Sequence, residues 1–185
     1  MRMFTSVYLA GVVALSALAT AAYAENPMVG GAAMFADKNI VENAVNSKDH
    51  TTLVAAVKAA GLVETLQGPG PFTVFAPVNA AFDALPAGTV ETLLKPENKD
   101  QLTKILTCHV VGAKALAADI QKMVADDGGM HEVKTVGGCN WTAKADGDKV
   151  TLTDENGNVA NVTIANVEQS NGVIHVIDKV LLPKM

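Results

Sequence analysis

The sequence predicts an α+β chain, with helices in its first half and antiparallel β-hairpins in its second. Three observations carry this. Between Asn39 and Leu66 the residues Leu53, Val54, Val57, Ala60 and Gly61 fall on one face of a helical repeat. From Val133 the repeat drops to two, so that Cys139, Trp141 and Ala143 alternate with Asn140, Thr142 and Lys144. Two dipeptides favoured in tight hairpins, Asp146-Gly147 and Asn156-Gly157, then divide the β region into short strands. Helices segregated from hairpins argue α+β over alternating βαβ units. No internal repeat is present, so the chain reads as one domain.

The elements follow in order. Arg2, an apolar stretch from Val7 to about Ala22, and the small-x-small pattern Ala22-Tyr23-Ala24 make residues 1–24 a secretory signal peptide, cleaved before Glu25. Cleavage implies a secreted, periplasmic or extracellular protein with no membrane insertion afterwards. Residues 25–38 are rich in Gly, Ala and Met without a period and are expected as a flexible N-terminal arm, ahead of a domain over 39–185. The Asn39–Leu66 helical stretch has Ser47 or Asp49 available as a cap, and Gly68-Pro69-Gly70-Pro71 stops it.

A short strand, Phe72 to Pro77, is ended by its proline. Asn79 can cap a short helix carrying Phe82 and Leu85, ended by Pro86. Thr89 to Leu94 and Lys99 to Leu106 read as helical pieces around Pro96, the second leading into a buried strand opened by Cys108. Leu116 to Val124 is a weaker helix, ended by Asp126-Asp127-Gly128-Gly129. Strands follow at Lys149–Thr153 and around Val162 and Ile164, and a last one runs from Asn171 to Leu182.

Composition narrows the function. Removing 24 residues from 185 leaves 161, enough for a core without staples. The only arginine, Arg2, is lost with the signal, which leaves 13 Lys against 19 acids, a charge of −6. Such a chain lacks the guanidinium fork that reads phosphates and bases, and its charge opposes a polyanion, so nucleic acid is excluded as a partner. Aromatics are too few for stacked ligand platforms.

Catalytic and metal constellations are also missing. His50, His109, His131 and His175 are all the histidines; none pair at i,i+4, and no Cys-x-x-Cys or His-Glu-x-x-His occurs. The acids around Asp154-Glu155-Asn156-Gly157-Asn158 lack the spacing and closing glutamate of a calcium loop. Gly-x-Ser-x-Gly and phosphate loops are absent. The residues point to no enzyme and no cofactor.

Cys108 and Cys139 are an even pair in an exported chain, without redox spacing, and are expected to form a disulfide. The alternative is two separate buried thiols. In the last strand, Ile174, Val176, Asp178, Val180 and Leu182 face one way, and Val173, His175, Ile177, Lys179 and Leu181 the other. Aliphatics on both faces imply a central strand covered on both sides, with His175 a hydrogen-bonded core residue and Asp178 an end-of-strand carboxylate.

Gly70-Pro71-Phe72-Thr73-Val74-Phe75-Ala76-Pro77-Val78-Asn79-Ala80-Ala81-Phe82, then His109-Val110-Val111, then Asn171 to Pro183 occur in the order and at the separations of the fasciclin (FAS1) domain, which the chain resembles from about Asn39 to Pro183. The resemblance implies a wedge of two β-sheets with several helices along one side. It also implies a secreted or surface module for cell adhesion or protein–protein interaction, without catalysis, whose partner is a cell-surface or extracellular protein or glycan. Cys108 replaces the tyrosine the family usually has before His109, and Asn166-Val167 stands where integrin-binding animal members carry Asp-Ile. A partner other than an integrin follows. His109, the Asn171 turn and His175 are the interaction candidates on this reading; the other reading of His109 is a buried imidazole bridging two backbone segments. The alternative is a periplasmic binder of a small apolar or sugar-like ligand held in the inter-sheet wedge.

Overall fold

A computed structural model describes residues 26–184; the expected signal peptide lies outside the described residues. The segment expected as a flexible arm instead carries a hairpin, β1 (Met28–Val29) and β2 (Ala32–Ala33). Val29 and Met34 are buried in the core, and the Lys48 N–H donates to the Gly30 carbonyl at 3.1 Å. Two anchoring side chains make too short a pattern to register as a period.

The expected single helix over 39–66 is three helices: α1 (Ile40–Ala44), α2 (Thr51–Ala60) and α3 (Val63–Gln67), with a 3-10 turn at Lys48–His50. Asn39 starts α1 with a reciprocal capping box to Glu42, and Gly61 ends α2 in the left-handed region at φ 73°. β3 (Phe72–Pro77) follows, then α4 (Asn79–Asp83). The cap position of α4 is Val78, not Asn79. The Asn79 side chain accepts from the Thr52 N–H at 3.0 Å and donates to the Lys48 carbonyl at 2.8 Å, so it closes the start of α2 instead. Next come α5 (Thr89–Leu93), α6 (Lys99–Cys108), β4 (Val110–Val111) and α7 (Ala117–Asp126). Cys108 thus closes a helix rather than opening a strand.

The second half supplies β5 (His131–Lys134), β6 (Asn140–Asp146), β7 (Lys149–Thr153), β8 (Val159–Gln169) and β9 (Gly172–Ile177). Seven strands form one sheet in the order β4-β3-β9-β8-β7-β6-β5. Every neighbouring pair is antiparallel except β3 and β9, which run parallel from Phe72↔Gly172 to Pro77↔Ile177. At Gly172 a Cβ would collide with the Phe72 carbonyl, so only glycine lets the two strands start side by side. β8 turns the sheet into a wedge. Its first residues pair with β7 and the remainder with β9, with register shifts between Val162 and Ile164 and between Ile164 and Val167, and with Asn166 at φ 59°.

Two cores result, one on each face of the central β3–β9 pair. Val74, Ala76, Ile174 and Val176 pack against helices α1 to α6. Phe75 and Ile177 face into the wedge with Trp141, Leu152 and Leu181, closed by Ile120 and Val124 of α7. The regular strand stops at Ile177, short of the expected Leu182, yet the alternation persists: Val180 enters the helical core and Leu181 the wedge core. Asp178 ends the strand as expected, accepting from the Asn161 N–H and side-chain amide, both at 2.7 Å.

Candidate functional site

The interaction candidates are central to the fold and closed to solvent. His109 follows α6 and is 2% exposed, Asn171 precedes β9 at 8%, and His175 sits inside β9 at 1%. The His109 Nδ1–H donates to the Ile105 carbonyl at 2.8 Å, and its Nε2 accepts from the Leu181 N–H at 3.1 Å. His175 repeats the arrangement with its nitrogens exchanged: Nε2–H donates to the Ala115 carbonyl at 2.8 Å and Nδ1 accepts from the Asn166 N–H at 3.3 Å. Each ring is a neutral bridge between two backbone segments.

Burial disfavours the charged imidazolium, partly offset by the carbonyl each ring faces. It pushes His109 down to about 4 and lowers His175 from the ordinary value. Phe75 stacks on His175 with ring centroids 5.7 Å apart. Asn171 spends its whole side chain on the helices: Oδ1 accepts from the Ile40 N–H at 3.1 Å, and Nδ2 donates to the Leu66 and Gly68 carbonyls at 2.7 and 2.9 Å. Side chains this buried and this fully bonded offer a partner no surface. The three candidate side chains are thus internal framework, while Ser170 beside Asn171 is exposed.

Cys108 and Cys139 form a disulfide across 31 residues, with Cα atoms 5.4 Å apart. It fastens the end of α6 to the start of β6, beside a Trp141 Nε1–H that donates to the Cys108 carbonyl at 2.6 Å. At Gly137 a Cβ would lie 2.7 Å from the Cys108 nitrogen, so the close approach of this turn to α6 requires glycine.

Among the described residues no group of three His, Cys, Asp or Glu could hold a metal ion. The Asp154 carboxylate is taken up by the N–H groups of Asn156, Asn158 and Leu182 and by the Asn158 amide, at 2.8–3.0 Å. His50, buried and lowered by desolvation, has Nδ1 2.8 Å from the Ser47 hydroxyl; its Nε2 lies toward the Ala76 carbonyl without closing a hydrogen bond. It borders an apolar cavity of about 50 Å³ between the helices and the sheet, room for a few waters at most.

A larger cavity, about 290 Å³, lies in the wedge. The two edge strands, β4 and β5, are not paired; two residues past β5 the Val136 N–H reaches the Val110 carbonyl at 2.8 Å, and the cavity lies between the strands. Phe75 and Val111 line one side, Ile120 and Met123 of α7 another, and β5 the third. Antiparallel strands alternate hydrogen-bonded and non-bonded pairs. The Thr135 N–H to Cys139 carbonyl bond at 3.0 Å sets the phase, so Val133 and His131 bond to β6, while Lys134 and Glu132 turn their backbone groups outward. This edge was not singled out in the sequence, where the period of two is plain only from Val133. The alternation of His131-Glu132-Val133-Lys134 was the available signal.

No helix among the described residues is long and apolar enough to cross a membrane. The model of the Fasciclin domain matches residues 48–183. Protein sll1483 of Synechocystis is 52% identical over 87% of this chain and 82% of its own length. Cell surface glycolipoprotein MPB83 of Mycobacterium bovis is 34% identical over 86% of this chain and 68% of its own. A solved FAS1 domain pair from the insect cell adhesion molecule fasciclin I superposes with a TM-score of 0.70 at 18% identity, covering 78% of this chain. The chain spans about half of that pair (51%), a likeness of fold.

Proposed function

Because this chain belongs to the fasciclin domain family, we propose that it is a secreted or periplasmic, non-enzymatic module for adhesion or protein–protein interaction at the cell surface. The observation that carries this reading is the fate of the polar groups. His109, His175 and Asn171, the residues best placed to do chemistry, are all spent on backbone groups of the fold. A general base needs a free nitrogen within reach of substrate, and neither ring has one. The name of the Mycobacterium bovis relative, a cell surface glycolipoprotein, supports the location. The apolar segment and small-x-small pattern ahead of Glu25 support export.

The test is binding of fluorescently labelled mature protein to washed cells and envelope fractions of its source organism, with an unrelated acidic protein of similar size as control. Saturable binding lost on heat unfolding is expected. Binding no greater than the control would refute the reading.

A further inference from the structure

We propose that β5 and the wedge cavity form a docking site for an extended peptide segment of a partner protein, which adds as an eighth strand in the opening between β5 and β4. This rests on the interaction reading above and names the kind of partner it takes.

The backbone sets the first requirement. Glu132 and Lys134 direct their N–H and C=O groups away from β6, and among the described residues no protein group takes them. Two residues further on, Val136 presents the same outward N–H, and there the Val110 carbonyl accepts it. That rung demonstrates the pairing this edge makes when a backbone reaches it. Only another strand supplies donors and acceptors at the spacing of Glu132 and Lys134.

Side chains set the second requirement. A cavity of about 290 Å³ sits at the floor of the roughly 300–1,000 Å³ range of small-ligand sites. It suits an apolar side chain anchored by a backbone outside it better than a whole ligand. Six large apolar side chains are exposed among the described residues, and two of them, Met130 and Val136, bracket β5. Buried Val133 of β5 faces the apolar wedge with Phe75, Ile120 and Met123, which fits a strand whose inward residues are aliphatic.

Charge sets the third. Glu132 and Lys134 are exposed and form no ion pair among the described residues. Opposite charges directly across a pair of strands attract, so the segment that fits carries a base opposite Glu132 and an acid opposite Lys134.

The experiment titrates a panel of short synthetic peptides, alternating valine with lysine and glutamate in every order, into isotope-labelled mature protein. Saturable binding is expected, with amide exchange at Glu132 and Lys134 slowed roughly tenfold or more. Lys134→Pro removes one outward N–H and leaves the β6 ladder intact, and it should weaken peptide binding roughly tenfold or more. Met123→Glu, which puts a charge at the cavity wall, should do the same and serves as a second route if the proline variant fails to fold. Trp141 fluorescence reports folding in both.

Absence of binding by any peptide, or equal binding by folded variants, overturns the proposal. So does concentration-dependent dimerisation abolished by Lys134→Pro, which would make a second copy the occupant. A small molecule retained in the cavity under native mass spectrometry overturns it in favour of a ligand. Wild-type and Lys134→Pro protein are also compared on envelope fractions. Equal saturable binding there removes strand addition and leaves the adhesion reading standing. Peptide binding without envelope binding removes the adhesion reading and leaves the edge.

Discussion

One hairpin, β5–β6, treats its backbone in two opposite ways. At its turn, Val136 and Gly137 donate to Val110 and Thr107, Thr135 and Cys139 bond each other, and the disulfide fastens the whole to α6. A few residues earlier, Glu132 and Lys134 leave their outward groups to solvent. The difference is access to water. An unpaired N–H packed against α6 would cost about 1–3 kcal/mol, and the N–H groups of Thr135, Val136, Gly137 and Gly138 all find carbonyls. At the edge water serves instead at little cost, which leaves the groups free to exchange water for a partner.

The largest break in that contrast is the disulfide. Replacing Cys108 and Cys139 together by alanine frees a loop of 31 residues and should cost about 4 kcal/mol in the chain-entropy model. A urea unfolding midpoint, compared with that of the wild type under non-reducing conditions, checks it.

His109→Leu should cost about 3 kcal/mol, because it strands the Leu181 N–H and the Ile105 carbonyl in the core. It should also change the response to acid. Folded His109 titrates at about 4 against an ordinary value of 6.5, so below pH 6.5 the unfolded chain takes up a proton that the folded chain refuses. The contribution of His109 is complete above pH 6.5 and is lost as the pH falls to about 4, by about 3 kcal/mol in all. The lowered values of His175 and His50 act in the same direction. Urea midpoints across that window should fall more steeply for the wild type than for His109→Leu; equal slopes would contradict the buried neutral ring.

Asn171→Asp comes next, at about 2 kcal/mol. It sets a carboxylate oxygen against the Leu66 and Gly68 carbonyls that the amide now serves. Thermal unfolding should detect the loss, with helices α1 and α3 exchanging their amides first.

The smallest effect belongs to the open edge. Lys134→Pro removes an N–H that bonds to no protein group among the described residues and should cost under about 1 kcal/mol, whereas Val133→Pro breaks the ladder to Trp141 and should cost about 3. Equal losses for the two would contradict an outward-facing Lys134 N–H.

Part of the molecule was legible along the chain. β3 ends at Pro77, where its proline placed the end, and β7 occupies Lys149–Thr153, between the two turn dipeptides. The three helices were read as one because their apolar residues continue nearly one repeat; Gly61, placed on that apolar face, instead ends α2, and the break before α2 is a 3-10 turn held by the remote Asn79. Asn79 has a capping residue's chemistry, but proximity in space gave it to α2 rather than to its own helix. The β3–β9 pairing joins segments about a hundred residues apart and leaves no periodic trace in either.

Local order along the chain determined the α+β class, the two faces of the last strand and the pair of cysteines that bond. Those are properties of neighbours in sequence and of a count. Tertiary structure alone decided which backbone groups His109, His175 and Asn171 bond and that β5 is the edge left open. A polar group's role depends on what stands opposite it, and those partners are remote: Ile40 reaches Asn171 across 131 positions, and Leu181 reaches His109 across 72.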